Sequence, residues 1–217
     1  MLISLKYKFI FVHIAKTGGT SIRAALRYYK WTDPYRIPFF LCSRLSALTG
    51  HKIACKIPRH AKIITAYEML PREIFDQLFK FAFVRNPWDL QVSSYHHIMR
   101  ERPHLLKGIN SFQDFLKWKL DPDRPYHYII DTSIELQSDY LVDLNGKVIV
   151  DFIGRYENLQ QDFVEACNRI GISPKRLPHK RQAKDRKPYQ EYYTDETAEL
   201  IAQHFHKDID MFGYKFD

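Results

Sequence analysis

The sequence has few cysteines and no long hydrophobic run. Its three cysteines, Cys42, Cys55 and Cys167, are odd in number and widely spaced, and no two of them form a CxxC pair. This pattern predicts free thiols rather than a disulfide framework or a zinc site, with a bond between Cys42 and Cys55 left open for an exported protein. No stretch approaches the roughly 20 apolar residues of a membrane span, and the N-terminus lacks a signal-peptide layout. We therefore expect a cytoplasmic protein.

Acidic residues are also in short supply. The chain of 217 residues carries 33 lysines and arginines against 25 acidic residues, which gives a formal net charge of +8. This balance favours anionic partners, but it does not choose among nucleotides, nucleic acid, sulfated glycans and membrane surfaces, and a generally basic soluble surface remains an alternative. The length suits one domain, and no repeat or linker divides it, so we expect a single domain over residues 1–217.

Short apolar runs alternate with helical patterns along the chain. Residues 31–60 are expected to be less regular because they contain several prolines. Asn145-Gly146 indicates a hairpin turn between two short strands. The predicted strands are Lys8–Ile14 and Lys80–Arg85, and the predicted helices include Thr20–Tyr29, one from Pro87 to about Met99, and Leu159–Ile170 with a terminating Gly171. This alternation predicts an α/β fold with a central, mainly parallel sheet flanked by helices, similar to the P-loop NTPases. Ligands of such sheets bind beyond the carboxyl ends of the strands.

The first predicted strand leads into a glycine-containing turn and then a helix. The turn reads Ala15-Lys16-Thr17-Gly18-Gly19-Thr20-Ser21. Backbone N–H groups and a helix start can hold a phosphate there, and Lys16 adds a full charge. A Walker A loop has its lysine after the glycines, whereas Lys16 precedes them. An ordinary ATPase or GTPase is therefore disfavoured, and a turn that uses glycine only for geometry is the structural alternative.

A second motif follows the second predicted strand. In Phe83-Val84-Arg85-Asn86-Pro87-Trp88-Asp89, an arginine at a strand end meets a helix that starts at a proline. Arg85 can bind a phosphate with two parallel hydrogen bonds, and Ser93 lies two turns into the helix. An ion pair between Arg85 and Asp89 with a purely structural role is the open alternative.

Together these motifs resemble the sulfotransferase family. AKTGGTS is similar to the family's 5′-phosphosulfate loop, usually PKTGGTS, and FVRNPWDLQVSSY is similar to its 3′-phosphate element, usually FVRNPxxRxVSxY. The segment DFIGRYENL at 151–159 and the C-terminal tail also match, so the resemblance covers nearly the whole chain. It is strongest to the branch that acts on carbohydrates and related hydroxyl compounds. Two departures are Ala15 in place of proline and Leu90 in place of a common arginine.

The resemblance implies a reaction and a donor. The family donor is 3′-phosphoadenosine 5′-phosphosulfate (PAPS), whose sulfuryl group passes to an acceptor hydroxyl, and the scheme needs no metal. Lys16 is expected to stabilise the leaving phosphate. The expected acceptor is a saccharide, with no nucleic-acid partner. The expected donor ligands are Lys16, Thr17, Gly18, Gly19, Thr20 and Ser21 for the 5′-phosphate, Arg85 and Ser93 for the 3′-phosphate, and Tyr156 by the adenine.

The resemblance also suggests a base and a basic loop. His60 matches a histidine often found upstream of the VRNP element, and it is the first candidate for taking the acceptor's proton. Glu68 is a weaker candidate. Arg181, Lys184 and Arg186, in a basic C-terminal stretch, are expected near the 3′-phosphate, with a solvated mobile loop as the alternative. Two other functions remain open at this point: a P-loop nucleotide kinase or NTPase, and a non-catalytic protein that binds polyanions.

Overall fold

The computed structural model describes residues 1–49, 57–178 and 186–217. They form two compact units, one of residues 1–14, 18–49, 57–84 and 139–178, the other of residues 15–17, 85–138 and 186–217. The strands are β1 Leu2–Ser4, β2 Phe9–Val12, β3 Phe79–Val84 and β4 Phe152–Arg155. The helices are α1 Gly19–Ala25, α2 Arg27–Trp31, α3 Arg36–Thr49, α4 Ile63–Met69, α5 Arg72–Gln77, α6 Pro87–Glu101, α7 Phe112–Leu120, α8 Tyr128–Asp131, α9 Leu159–Ile170, α10 Asp195–His204 and α11 His206–Phe212.

The first unit contains the sheet, in the order β1-β2-β3-β4. β1 is antiparallel to β2, whereas β2, β3 and β4 run parallel, with Phe11 opposite Phe81 and Phe81 opposite Phe152. The predicted α/β fold with a mainly parallel sheet is therefore confirmed. All four residues of β2 are buried, as expected for a strand covered on both faces.

A phenylalanine-rich core covers one face of this sheet. Alternate residues of β2 and β3 place Phe9, Phe11, Phe81 and Phe83 on that face, since side chains alternate along a strand. They pack against α1, α2 and α9 in one buried cluster, whose helical members include Ile22, Leu26, Tyr29, Phe163, Ala166 and Cys167. This packing determines which side of α1 and α2 is buried. The turn that precedes α1 starts at the carboxyl end of β2.

Three sequence predictions need correction. The helix expected over Thr20–Tyr29 is divided into α1 and α2 at Leu26. The segment expected to be irregular contains the 14-residue helix α3, because Pro38 lies in its first turn, where a missing N–H breaks no helical hydrogen bond. The hairpin at Asn145-Gly146 shrinks to one bridge, Val142 with Val148, although Gly146 does adopt the positive φ that such a turn requires.

The second unit is helical in its described part. Helix α6 starts as predicted at Pro87, and Asn86 caps it by accepting hydrogen bonds from the backbone N–H groups of Trp88 and Asp89. Thr194 caps α10 through a capping box with Thr197. No helix in the described ranges is long and apolar enough to cross a membrane.

Candidate functional site

The turn after β2 has an unusual backbone. Lys16 has φ 66° and Gly18 has φ 82°, so two left-handed residues are separated by one residue. A non-glycine residue in this region is uncommon and costs about 1–2 kcal/mol. Alternating left- and right-handed residues turn successive N–H groups toward one point, which is an arrangement that binds anions. The turn closes when Gly18 O accepts the N–H of Ser21 at 3.0 Å.

Neighbouring side chains pack closely against the two glycines of this turn. A Cβ at Gly18 would lie 2.7 Å from Cδ2 of Leu159 and 3.3 Å from Cδ2 of Tyr156. A Cβ at Gly19 would lie 2.1 Å from Cδ2 of His13. A side chain at either position would have to displace these neighbours, and at Gly18 the φ of 82° would add strain. The structure therefore brings Tyr156, which the resemblance led us to expect by the adenine, against the glycine turn, and it brings His13 there as well.

His60 lies beside His13. Its Nδ1 is 2.8 Å from the carbonyl oxygen of His13, and the two ring centroids are 4.5 Å apart. A carbonyl only accepts, so Nδ1 of His60 carries the proton and Nε2 is the basic nitrogen of the neutral ring. Burial lowers the pKa of His60 from 6.5 to about 4. Burial, and then the charge of His60, lower the pKa of His13 well below its ordinary value. Both rings are neutral near pH 7.

Arg85 is held from several sides. It is 2 % exposed, its Nε donates to Asp89 at 2.7 Å, and its Nη1 donates to the carbonyl oxygen of Lys16 at 3.0 Å. Gln137 fixes its backbone, because the side-chain Oε1 accepts from Arg85 N at 2.9 Å and Nε2 donates to Arg85 O at 2.8 Å. The ion pair with Asp89 that the sequence left open is thus present. It does not exclude an anion, since one guanidinium has five donors.

Asp89 joins a second predicted residue to Arg85. Arg186 forms an ion pair with the Asp89 carboxylate and also donates to the backbone oxygen of Asp89 at 3.3 Å. Two guanidinium groups therefore share one carboxylate, which leaves an excess of positive charge where the sequence predicts a phosphate. Ser93 lies one turn beyond Asp89 on the same face of α6 and is partly exposed. Arg181 and Lys184 lie outside the described residues.

The charge of Lys16 also lowers the pKa of one group on α6 and one on α7. The ring of His96 is 2.8 Å from the hydroxyl of Tyr192. Burial, followed by the charges of Arg186, Arg100 and Lys16, lowers the pKa of His96. Lys119 is buried, and its Nζ donates to Oε1 of Gln91 at 2.6 Å and to Oγ of Ser94 at 3.0 Å. Burial lowers the pKa of Lys119 well below its usual value, and Lys16 adds to that effect.

The comparisons with known proteins identify the family of the chain. A model of the sulfotransferase family matches residues 1–215. The chain belongs to the sulfotransferase family. A protein of Archaeoglobus fulgidus, described as uncharacterized, is 38% identical over 104 residues, which cover 46% of this chain and 74% of that protein. No solved structure matches. Membership of the sulfotransferase family supports sulfuryl transfer in general.

The sequence did not indicate a role for two residues of this candidate site, for different reasons. Gln137 lies in a segment without a motif, and only the fold brings it to Arg85. His13 precedes the glycine turn by a few residues, and its alternation with the buried Phe11 of β2 could have placed it on the same side of the sheet. Across the described ranges, no group of three or more histidine, cysteine or acidic residues is arranged to hold a metal ion.

Proposed function

We propose that this protein transfers the sulfuryl group of PAPS to a hydroxyl of a carbohydrate or related acceptor. The observation that carries the proposal is the hydrogen bond from Nη1 of Arg85 to the carbonyl oxygen of Lys16, at 3.0 Å. It ties the residue predicted to bind the 3′-phosphate to the residue predicted to stabilise the leaving 5′-phosphate. Family membership over residues 1–215 favours sulfuryl over phosphoryl transfer.

The turn at Lys16–Ser21 is proposed to hold the 5′-phosphate of the donor. Backbone N–H groups of Thr17 to Thr20 and the hydroxyls of Thr20 and Ser21 supply hydrogen bonds. The Lys16 ammonium neutralises the bridging oxygen while the sulfur–oxygen bond of the donor breaks, so it acts on charge that develops in the transition state. The leaving group, adenosine 3′,5′-bisphosphate, keeps the electron pair of that bond.

The 3′-phosphate is assigned to Arg85 and Ser93, with Arg186 close by. Arg85 and Arg186 meet on Asp89, so a phosphate dianion compensates the positive charge that the single carboxylate leaves over. Arg181 and Lys184 remain proposed contributors on the basis of the family resemblance. Tyr156, whose ring borders Gly18, is proposed to contact the adenine. The scheme uses no metal.

The acceptor's proton is assigned to His60. The hydrogen bond with His13 O directs the proton to Nδ1, which leaves Nε2 as the proton acceptor when the acceptor oxygen attacks sulfur. A pKa near 4 makes this a weak base, so transfer of the proton is expected late, as the new sulfur–oxygen bond forms and the acceptor oxygen becomes acidic. Positioning and charge stabilisation then supply most of the rate, as in phosphoryl transfer.

Isothermal titration tests the donor assignment. Adenosine 3′,5′-bisphosphate should bind more tightly than ADP, because ADP lacks the 3′-phosphate that Arg85 is assigned to hold. Equal affinity for the two, or no binding of either, contradicts the proposal. Magnesium-dependent ATP turnover would favour the NTPase alternative instead. A screen with radiolabelled donor across saccharide, lipid and peptide acceptors tests the acceptor class.

A further inference from the structure

A basic segment, residues 27–62, carries most of the net positive charge of the chain. It contains eight lysines and arginines and one acidic residue, Asp33. The net charge of the whole chain is +8. Asp33 is buried, and its carboxylate accepts hydrogen bonds from Oγ of Ser4 at 2.6 Å and from the N–H of Lys6 at 3.2 Å. The one negative charge of the segment is therefore directed into the protein, away from the surface.

Helix α3, within this segment, exposes an apolar stripe. Ile37, Leu41, Leu45 and Leu48 are 64%, 54%, 48% and 82% exposed. Their spacings of four, four and three residues place them on one face along the length of the helix. Arg44 is exposed at the border of this face. A surface helix of a globular protein normally turns its apolar stripe toward the core, so the direction of this stripe calls for an apolar environment outside the unit.

Three aromatic side chains just before α3 extend this surface. Tyr28, Trp31 and Tyr35 are each 56% exposed. Basic groups accompany two of them, with the Arg27 guanidinium 5.9 Å from the Trp31 ring and the Lys175 ammonium 5.4 Å from the Tyr28 ring. Exposed aromatic and aliphatic side chains bordered by lysine and arginine are typical of helices that lie in a membrane interface.

The chemistry of the surface discriminates among its occupants. A glycan or nucleic acid would compensate the charge but leave the leucines in water. A second copy would bring two strongly basic segments together, which like-charge repulsion opposes. An anionic bilayer satisfies both features, because acyl chains accept the stripe while lipid headgroups attract the basic residues. We propose that α3, together with Tyr28, Trp31 and Tyr35, docks on an anionic lipid surface. This proposal does not depend on the reaction that the protein catalyses.

Vesicle co-sedimentation of the full chain tests the docking surface. We expect binding to vesicles of phosphatidylcholine mixed with phosphatidylglycerol, weakening as salt is raised, and little binding to phosphatidylcholine alone. Leu48→Glu should lower the partition coefficient roughly tenfold, since it removes one buried leucine from the interface. Leu144→Glu is the matched control, because Leu144 is 83% exposed at the Asn145 turn, and it should leave binding unchanged. Circular dichroism verifies folding, and Leu41→Ser replaces any Leu48 variant that fails to fold.

Tryptophan fluorescence locates the contact. Mixed vesicles should shift the emission to shorter wavelength, and Trp31→Phe should abolish the shift while Trp88 and Trp118 remain. The proposal is overturned by equal binding to both kinds of vesicle, by an equal loss in Leu48→Glu and Leu144→Glu, or by an unchanged spectrum. Absence of vesicle binding also overturns it, as does a dimer that Leu48→Glu dissociates, because the stripe would then be an interface between copies.

Discussion

The carbonyl oxygen of His13 lies 2.8 Å from Nδ1 of His60, while the His13 ring occupies the space where a side chain at Gly19 would stand. One buried residue therefore contacts both the candidate base and the glycine turn. His13 Nδ1 has no hydrogen-bond partner among the residues that the structure describes, so packing against Gly19 and stacking on Phe11, at 5.7 Å between centroids, set its position. Substitutions at His60 or in the glycine turn should therefore affect each other through His13.

His60→Asn should lower kcat by roughly 10²–10³-fold, within the range for loss of a general base. The asparagine amide can still donate to His13 O, so the local fold is retained and the basic Nε2 alone is lost. Steady-state transfer assays check the rate, and circular dichroism checks the fold. Full activity in His60→Asn would show that another group, such as His96, takes the proton.

The acid stability of the protein should depend on the same pair. The pKa of His60 falls from 6.5 to about 4 on folding, and that of His13 also falls. Between these pH values the unfolded chain binds more protons, so the free energy of unfolding should decrease as pH falls from about 6.5 toward 4. For half-buried His60 we expect a loss of about 1 kcal/mol between pH 7 and pH 5, after allowance for solvent screening.

Urea titrations at pH 7 and pH 5 measure this difference. His60→Asn should reduce the loss relative to the parent chain, because one of the histidines that take up a proton on unfolding is gone. An identical pH dependence in parent and variant would mean that His60 keeps an ordinary pKa in the folded protein.

Much of the fold followed from local pattern. The helix Leu159–Ile170 was predicted with its observed bounds, and Gly171 terminates it in the left-handed conformation, because the apolar spacing and the glycine signal are both local. The helix α3 was missed because Pro34 and Pro38 were interpreted as breakers. Proline interrupts a helix only beyond its first turn. Whether a proline lies in the first turn cannot be judged until the first residue of the helix is known.

In the candidate site, too, the residues that are adjacent in sequence could be predicted and the distant pairs could not. Lys16 and its turn could be found because the anion-binding residues are consecutive in sequence. The pairing of Gln137 with both backbone groups of Arg85 spans 52 residues, and no local signal marks it. The sequence indicated Asp89 only as a possible i, i+4 ion-pair partner of Arg85. Its second partner, Arg186, lies in a distant segment of the sequence. Long-range side-chain pairs depend on the tertiary fold, so a single sequence does not reveal them.

Arg85→Lys should reduce discrimination between adenosine 3′,5′-bisphosphate and ADP by about tenfold or more. The guanidinium reaches Asp89 and Lys16 O at once, which an ammonium on a flexible stem does not reproduce while also binding phosphate. Titration calorimetry with both nucleotides gives the ratio. Arg100→Lys, an exposed change near the end of α6 with Glu101 as neighbour, is the control and should not alter it. Unchanged discrimination in Arg85→Lys would remove Arg85 from the 3′-phosphate.

Gly19→Ala should destabilise the protein by about 1–3 kcal/mol, since the added methyl group would lie 2.1 Å from Cδ2 of His13 and must displace that ring. The same change should cost little in a His13→Ala background, where the space is open. A double-mutant cycle by chemical denaturation measures the coupling. Additive effects of the two substitutions would show that Gly19 does not depend on His13.

Lys16 combines a strained backbone with the proposed catalytic charge, and the two can be separated. Lys16→Ala and Lys16→Gly should both lower kcat by at least about 10²-fold, because each removes the ammonium assigned to the leaving phosphate. They should differ in stability. The φ of 66° suits glycine and strains alanine, so Lys16→Gly should be more stable than Lys16→Ala by about 1 kcal/mol. Thermal unfolding at one pH ranks the two variants, and transfer assays follow activity.

Equal stability would mean that the turn relaxes once the lysine is gone. Substantial activity in either variant would assign stabilisation of the leaving group to another residue.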